Sequence, residues 1–201
     1  AKANPVYANL AGRLSRSLFK GYETTNVTDA KVVALIKGDE VKSLSEGEEG
    51  EIVLDHTPFY AESGGQVGDV GVIVGPTSEL ATVLDTYSPA QGLIVHKIKV
   101  DKGSFKVGDV ISAEVDVEKR DATRRNHTAT HLMHAALREV LGTHVKQAGS
   151  VVAPSYLRFD FSHYQPLTAQ EKEEIERLVN HHILRNEPVQ TDEMQIEEAM
   201  R

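Results

Sequence analysis

The sequence predicts an α+β protein: an amphipathic N-terminal helix, a small all-β domain, and a second domain that mixes two helices with a β-hairpin. Three observations carry this reading. An apolar rhythm of four residues occupies the N-terminus. Six short strand-like runs, separated by turn residues, fill roughly residues 25–117. Helical periodicity then returns after residue 117. With 201 residues, 40% of them hydrophobic, the chain can bury a real core and fits one large or two small domains.

Residues 4–20 read as the first helix. Asn4 supplies a cap, Pro5 suits the first helical position, and Val6, Leu10, Leu14 and Leu18 form one stripe. The strand candidates follow as Lys31–Lys37, Gly50–Asp55, Asp69–Val74, Leu80–Tyr87, Leu93–Val100 and Asp109–Val117. Gly38-Asp39, Gly64-Gly65, Gly75-Pro76, Gly92, Gly103 and Gly108-Asp109 punctuate them. Such regular short strands suggest a small closed barrel or a sandwich. Residues 119–141 then read as a long helix closed by Gly142. Val145–Val152 and Tyr156–Ser162 form a hairpin around Ala153-Pro154-Ser155, with Leu157, Phe159 and Phe161 on one face. A helix starting at Thr168 carries a capping box with Glu171 and buries Ile175, Leu178, Val179 and Ile183. Pro188 opens an extended piece, and Ile196–Met200 begins another helix that stops at Arg201. The expected domains are therefore 1–24, 25–117 and 118–201, the last read as truncated at its C-terminus.

Composition removes several function classes. Without cysteine there is no disulfide, thiolate nucleophile or thiolate metal ligand within the chain. No run of about 18 apolar residues offers a membrane span. The lack of a basic-then-apolar leader leads to an expected cytoplasmic location, with no membrane partner. A formal charge of −8 argues against a general nucleic-acid binder but not against a local basic path to one RNA.

The chemistry-bearing residues concentrate in Arg124-Arg125-Asn126-His127-Thr128-Ala129-Thr130-His131. A spacing of four puts His127 and His131 on one helix face, the geometry with which a helix offers two nitrogens to one metal. The same spacing is common in helices without metal, and the protease form His-Glu-x-x-His is absent. His134 and His144 are further donors. Thr130 could position a water beside His131. Gln147 could read a small polar group, since its amide both donates and accepts, or serve as an ordinary strand glutamine. Lys119, Arg120, Arg124 and Arg125 form either a solvated face or a phosphate guide. Gly64-Gly65 in Glu62-Ser63-Gly64-Gly65-Gln66 permits positive φ and close backbone approach, as a tight turn would need. Gly64-Gly65-Gln66 is also similar, over three residues, to the hydrolytic loop of translation release factors.

Four segments together, Phe59–Asp69, Arg125–His134, Gly142–Ser150 and Leu157–His163, resemble the editing region of bacterial alanyl-tRNA synthetases. The likeness runs in order over about residues 25–201. It implies a linker helix, a translation-factor-like barrel, and an editing domain of the threonyl/alanyl-tRNA synthetase type. It implies a ligase that, as a whole, joins alanine to its tRNA with ATP. This region would hydrolyse serine or glycine misattached to the acceptor end of alanine tRNA. A missing methyl is worth only about 1–3 kcal/mol in a binding pocket, so a second sieve is needed. By the same resemblance His127 and His131 are zinc ligands, Thr130 and Gln147 line the catalytic site, and Gln147, Gly64 and Gly65 govern substrate choice. Arg124 and Arg125 would meet the tRNA. The partners implied are tRNA-Ala and the remainder of the synthetase chain. In that family a later Cys-x-x-x-His segment completes the zinc site. This sequence lacks it, so weak or absent metal binding and low hydrolysis are expected of the chain alone. A free-standing editing protein of the same superfamily and a non-catalytic RNA-binding module are the competing readings.

Overall fold

The computed structural model describes residues 4–190, 192 and 194–199. The elements run α1 (Pro5–Arg13), β1 (Leu18–Phe19), β2 (Asn26–Lys37), β3 (Asp39–Val41), β4 (Ser43–Ser45), β5 (Glu49–Leu54), β6 (His56–Thr57), β7 (Gly71–Val74), β8 (Leu80–Ala90), β9 (Leu93–Lys102), β10 (Ser104–Lys106), β11 (Val110–Val115), α2 (Val117–Leu141), β12 (Gln147–Val152), β13 (Leu157–Phe161), α3 (Ala169–Arg185) and α4 (Ile196–Ala199). The described residues fall into two compact bodies, one of residues up to 126 with 150–157, the other of residues 127–149 with those from 158 onward.

In the first body, six strands close a barrel in the order β11-β7-β8-β9-β5-β2, with β2 returning to pair with β11. Closure resolves the choice between barrel and sandwich, because it leaves no sheet edge along the ring. All six predicted strands are present, shifted by a few residues at their ends. A bulge between Val32 and Ala34 changes the phase of β2. Val32 and Leu35 therefore join the interior with Phe59, Ile73, Ile98 and Phe105, while Ala34 and Ile36 face outward beneath α1. Short strands that the sequence did not reveal finish the structure: β3 folds back antiparallel on the end of β2, β4 pairs with β10, and β1 runs parallel to β6.

Helix α1 begins as expected. The Asn4 side chain accepts the Val6 N–H at 3.1 Å and Pro5 opens the helix. It ends at Arg13 and not near residue 20. Leu14 turns extended (φ −87°, ψ 152°), and Ser17 then bonds the barrel through Gly92 O at 2.9 Å and the Ile94 N–H at 3.1 Å. These bonds outcompete further helical turns. Leu18, read as the last residue of the apolar stripe, is instead 56% exposed on β1. Leu10 is fully buried against Ala34, Ile36, Val53, Leu93 and Val95. Tyr7 and Tyr87 both donate to the Glu51 carboxylate, which ties the helix down. Burial and that carboxylate raise the Tyr87 hydroxyl far above the usual phenol range.

In the second body Ala136, Leu137, Val145 and Ile175 form the core, joined by Phe159, Phe161, Leu178 and Val179. Gly142, at φ +118°, closes α2 and donates to Arg138 O at 3.0 Å. The predicted capping box is formed: Thr168 accepts from Glu171 N at 3.1 Å and Glu171 accepts from Thr168 N at 2.7 Å. Ile183 departs from its expected burial, at 49% exposed, because the core cluster extends along α3 only to Val179. Residues 187–190 carry no regular structure. Of the helix expected over Ile196–Met200, Met200 lies outside the described residues, as does Arg201. Among the described residues no helix is long and apolar enough to cross a membrane.

Candidate functional site

Within the second body, the α2 segment after His127 places two imidazoles one turn apart. The His127 and His131 rings stack at 5.0 Å between centroids with 20° between planes. Burial, and secondarily the neighbouring His131, push the His127 imidazole below its ordinary pKa. A neutral ring keeps a lone pair available to a Lewis acid. Thr130 is 6% exposed on the same helix, and Gln147 is an exposed side chain at the start of β12.

Zinc wants four ligands at a structural site and about three plus water at a catalytic one. Among the described residues no group of three His, Asp or Glu donors converges. His127 and His131 therefore stand as a pair of imidazoles that neither reserve donor joins. His134 packs its ring against Phe159 at 5.1 Å, with its Nε2 buried and unbonded. The His144 Nε2 lies 2.8 Å from His163 Nδ1.

In the first body, the Gly64-Gly65 loop is a structured turn. Gly64 and Gly65 take φ +58° and +86°. Ser63 and Gln66 bridge each other, Gly65 O accepts the Val152 N–H at 2.7 Å, and Val67 donates to Val152 O at 3.0 Å. The two glycines differ in why they are needed. A Cβ on Gly65 would stand 2.5 Å from Ser150 O, whereas one on Gly64 meets nothing within 4 Å. Gly65→Ala is expected to cost about 2 kcal/mol, combining the left-handed backbone penalty with that clash, and Gly64→Ala about 1 kcal/mol. Urea unfolding midpoints of the two variants check the difference.

The cation cluster also separates on inspection. Arg120 is buried and engaged internally. Its Nε donates to Asp69 Oδ2 at 3.0 Å, its Nη1 to Gly21 O at 2.9 Å, and its Nη2 to Pro58 O at 2.6 Å and again to Asp69. It is a structural crosslink, which corrects its place in the expected phosphate guide. Arg124 and Arg125 are exposed, and Arg124 lies 3.4 Å from Asp121, a surface pair worth little. The sequence gives no sign that Asp69 pairs with Arg120, since nothing local marks a partner 51 positions away. A hollow of about 280 Å³ in this body, lined in part by Gly68, Asp85, Lys119 and Pro154, borders the Asp69–Arg120 pair.

Comparison with known proteins adds a relationship. The family described as tRNA synthetases class II (A) matches residues 2–119. The chain is similar to the Alanine--tRNA ligase of Myxococcus xanthus, with 50% identity over 98% of this chain and 22% of the relative. Proteins of the same name from Solibacter usitatus (49% identity, 100% of this chain, 23% of the relative) and Pseudothermotoga lettingae (50%, 100%, 22%) are similarly related. The chain thus spans under a quarter of the length of these relatives.

Proposed function

The chain belongs to the class II (A) tRNA synthetases, and from that premise we propose that it is the editing region of an alanine–tRNA ligase. The reaction is hydrolysis of the ester joining misattached serine or glycine to the terminal adenosine of alanine tRNA. The observation that carries this reading is the His127–His131 pair, stacked on α2 and set beside a buried threonine.

In the reaction, water adds to the ester carbonyl and the bond between carbonyl carbon and ribose oxygen breaks. The ribose oxygen takes a proton, and the free amino acid leaves. Thr130 holds the water or the substrate amine by its hydroxyl, which converts a random encounter into an oriented one. Gln147 presents an amide that bonds a serine hydroxyl and has no equivalent partner on alanine. Gly64 and Gly65 influence selectivity through the turn they shape, and Arg124 and Arg125 meet backbone phosphates. His127 and His131 would hold zinc together with further donors. When bound, that ion supplies a positive centre for the aminoacyl end.

The test is deacylation of seryl-tRNA(Ala) by the ligase carrying His127→Ala or Gln147→Ala. His127→Ala is expected to lower hydrolysis roughly a hundredfold while leaving alanine ligation intact. Gln147→Ala is expected to slow hydrolysis of seryl-tRNA(Ala), while glycyl-tRNA(Ala), which has no hydroxyl for the amide to bond, is less affected. Full deacylation by His127→Ala would overturn the assignment.

A further inference from the structure

One cluster in the second body takes no part in the proposed chemistry. His144, in the turn before β12, and His163-Tyr164, just after β13, bring three rings together. Their centroids lie 5.1 Å apart for His144–His163, 4.5 Å for His163–Tyr164 and 5.0 Å for His144–Tyr164, with planes inclined by only 21°, 36° and 32°. The outermost ring is open to solvent: Tyr164 is 76% exposed. An exposed aromatic ring contributes little to folding, so core packing does not account for its position.

The cluster is nevertheless held firmly from beneath. The neighbouring Val145 is fully buried in the core. Ser162 N donates to Lys146 O at 3.1 Å, joining the two segments that carry the rings. His144 and His163 share a hydrogen bond at 2.8 Å. A set of rings already held in place loses little freedom when a flat ligand lies on it.

We infer that His144, His163 and Tyr164 form a stacking platform for an unpaired base of the RNA, an inference that rests on the tRNA-directed reading above. Aromatic faces bind bases of any identity by stacking, and single-stranded RNA is recognised in this way. His144, itself exposed, adds the hydrogen-bonding capacity of an imidazole toward a base or a 2′-hydroxyl. Lys146, exposed and hydrogen-bonded through its backbone to the ring-bearing segment, supplies a cation for the adjoining phosphate. The chain's charge of −8 makes such a local contact more necessary, because general attraction to RNA is absent.

The probe is a short single-stranded RNA carrying 2-aminopurine, whose fluorescence falls on stacking. Titration of the 201-residue chain is expected to quench it. Tyr164→Ala is expected to weaken binding about tenfold, while Tyr164→Phe, which keeps the ring and loses only the hydroxyl, retains it. Duplex RNA of the same sequence is expected to compete poorly. No quenching, equal affinity for the native chain and Tyr164→Ala, or equal competition by the duplex would each overturn the platform. The two proposals fail separately. Stacking that survives alongside full deacylation by His127→Ala leaves the platform and removes the editing assignment. Hydrolysis that needs His127 alongside unchanged binding by Tyr164→Ala does the reverse.

Discussion

Asp69→Ala is expected to destabilise the chain by about 3–5 kcal/mol, the scale for breaking a buried ion pair from one side. The carboxylate and the guanidinium are 7% and 10% exposed. Removing Asp69 strands the Arg120 charge with two carbonyl acceptors and no counter-ion. It also frees the Tyr60 N–H, which donates to Asp69 Oδ2 at 2.7 Å. Through Arg120 the pair links the turn at Gly21, the segment at Pro58, the approach to β7 and the first turns of α2, so the loss is felt in four places at once. Urea unfolding checks the magnitude. The double variant Asp69→Leu with Arg120→Met is expected to recover part of the stability, because no charge is then left unpaired. Recovery stays partial, since Gly21 O and Pro58 O lose their donor. If Asp69→Ala unfolds at the native midpoint, the pair is no crosslink.

The contrast between Arg120 and its neighbours shows what could be read from the sequence. Arg120, Arg124 and Arg125 are indistinguishable as letters within a basic stretch. Only the closed barrel brings Asp69 within reach of one of them, and that depends on a contact 51 residues apart. The six barrel strands were legible because glycine-rich turns separate runs with alternating burial, as along β9. The closure from β2 to β11 was not, since no local pattern encodes which strand completes a ring. Strands such as β1 and β6, two residues each, are too short to carry any periodicity. The end of α1 was misplaced for a related reason. Leu18 continues the rhythm of four, but Ser17 finds better partners on the barrel than in another helical turn.

Candidate-site residues divide along the same line. His127 and His131 were legible because four-residue spacing on a helix determines proximity, and the rings do stack. The capping box at Thr168 was legible because its two bonds span three residues. The ring cluster of His144, His163 and Tyr164 was not, because it joins residues about twenty apart through a hairpin. Gly65 falls between these cases. Its positive φ was foreseeable from the glycine pair, but the approach to Ser150 O that forbids a side chain arises only from tertiary structure.

Acidification is expected to destabilise the barrel through His96, by up to about 3 kcal/mol between neutral pH and pH 4. This histidine is fully buried on β9, edge-on to Phe59 at 5.4 Å. Its Nδ1 donates to Ile52 O at 2.9 Å, and its Nε2 accepts from the Thr57 hydroxyl at 2.8 Å. That hydroxyl in turn accepts the Phe59 N–H at 3.1 Å, so the network suits one neutral tautomer. Burial lowers its pKa to about 4, from 6.5 when exposed. The sign follows from proton uptake. Above pH 6.5 neither state holds the proton and nothing is lost. Between 6.5 and 4 the unfolded chain binds a proton that the native barrel refuses, so stability falls as pH falls and the loss levels off below 4. Protonation of the ring in place would set an N–H against a hydroxyl already committed as donor. Urea midpoints from pH 7.5 to 4.5 should therefore drop more steeply for the native chain than for His96→Asn, which retains a donor toward Ile52 O without an imidazole to titrate. Taking the difference between the two chains separates His96 from the other histidines, His127 among them. Parallel pH profiles would mean that the imidazole titrates alike in the native and unfolded chains.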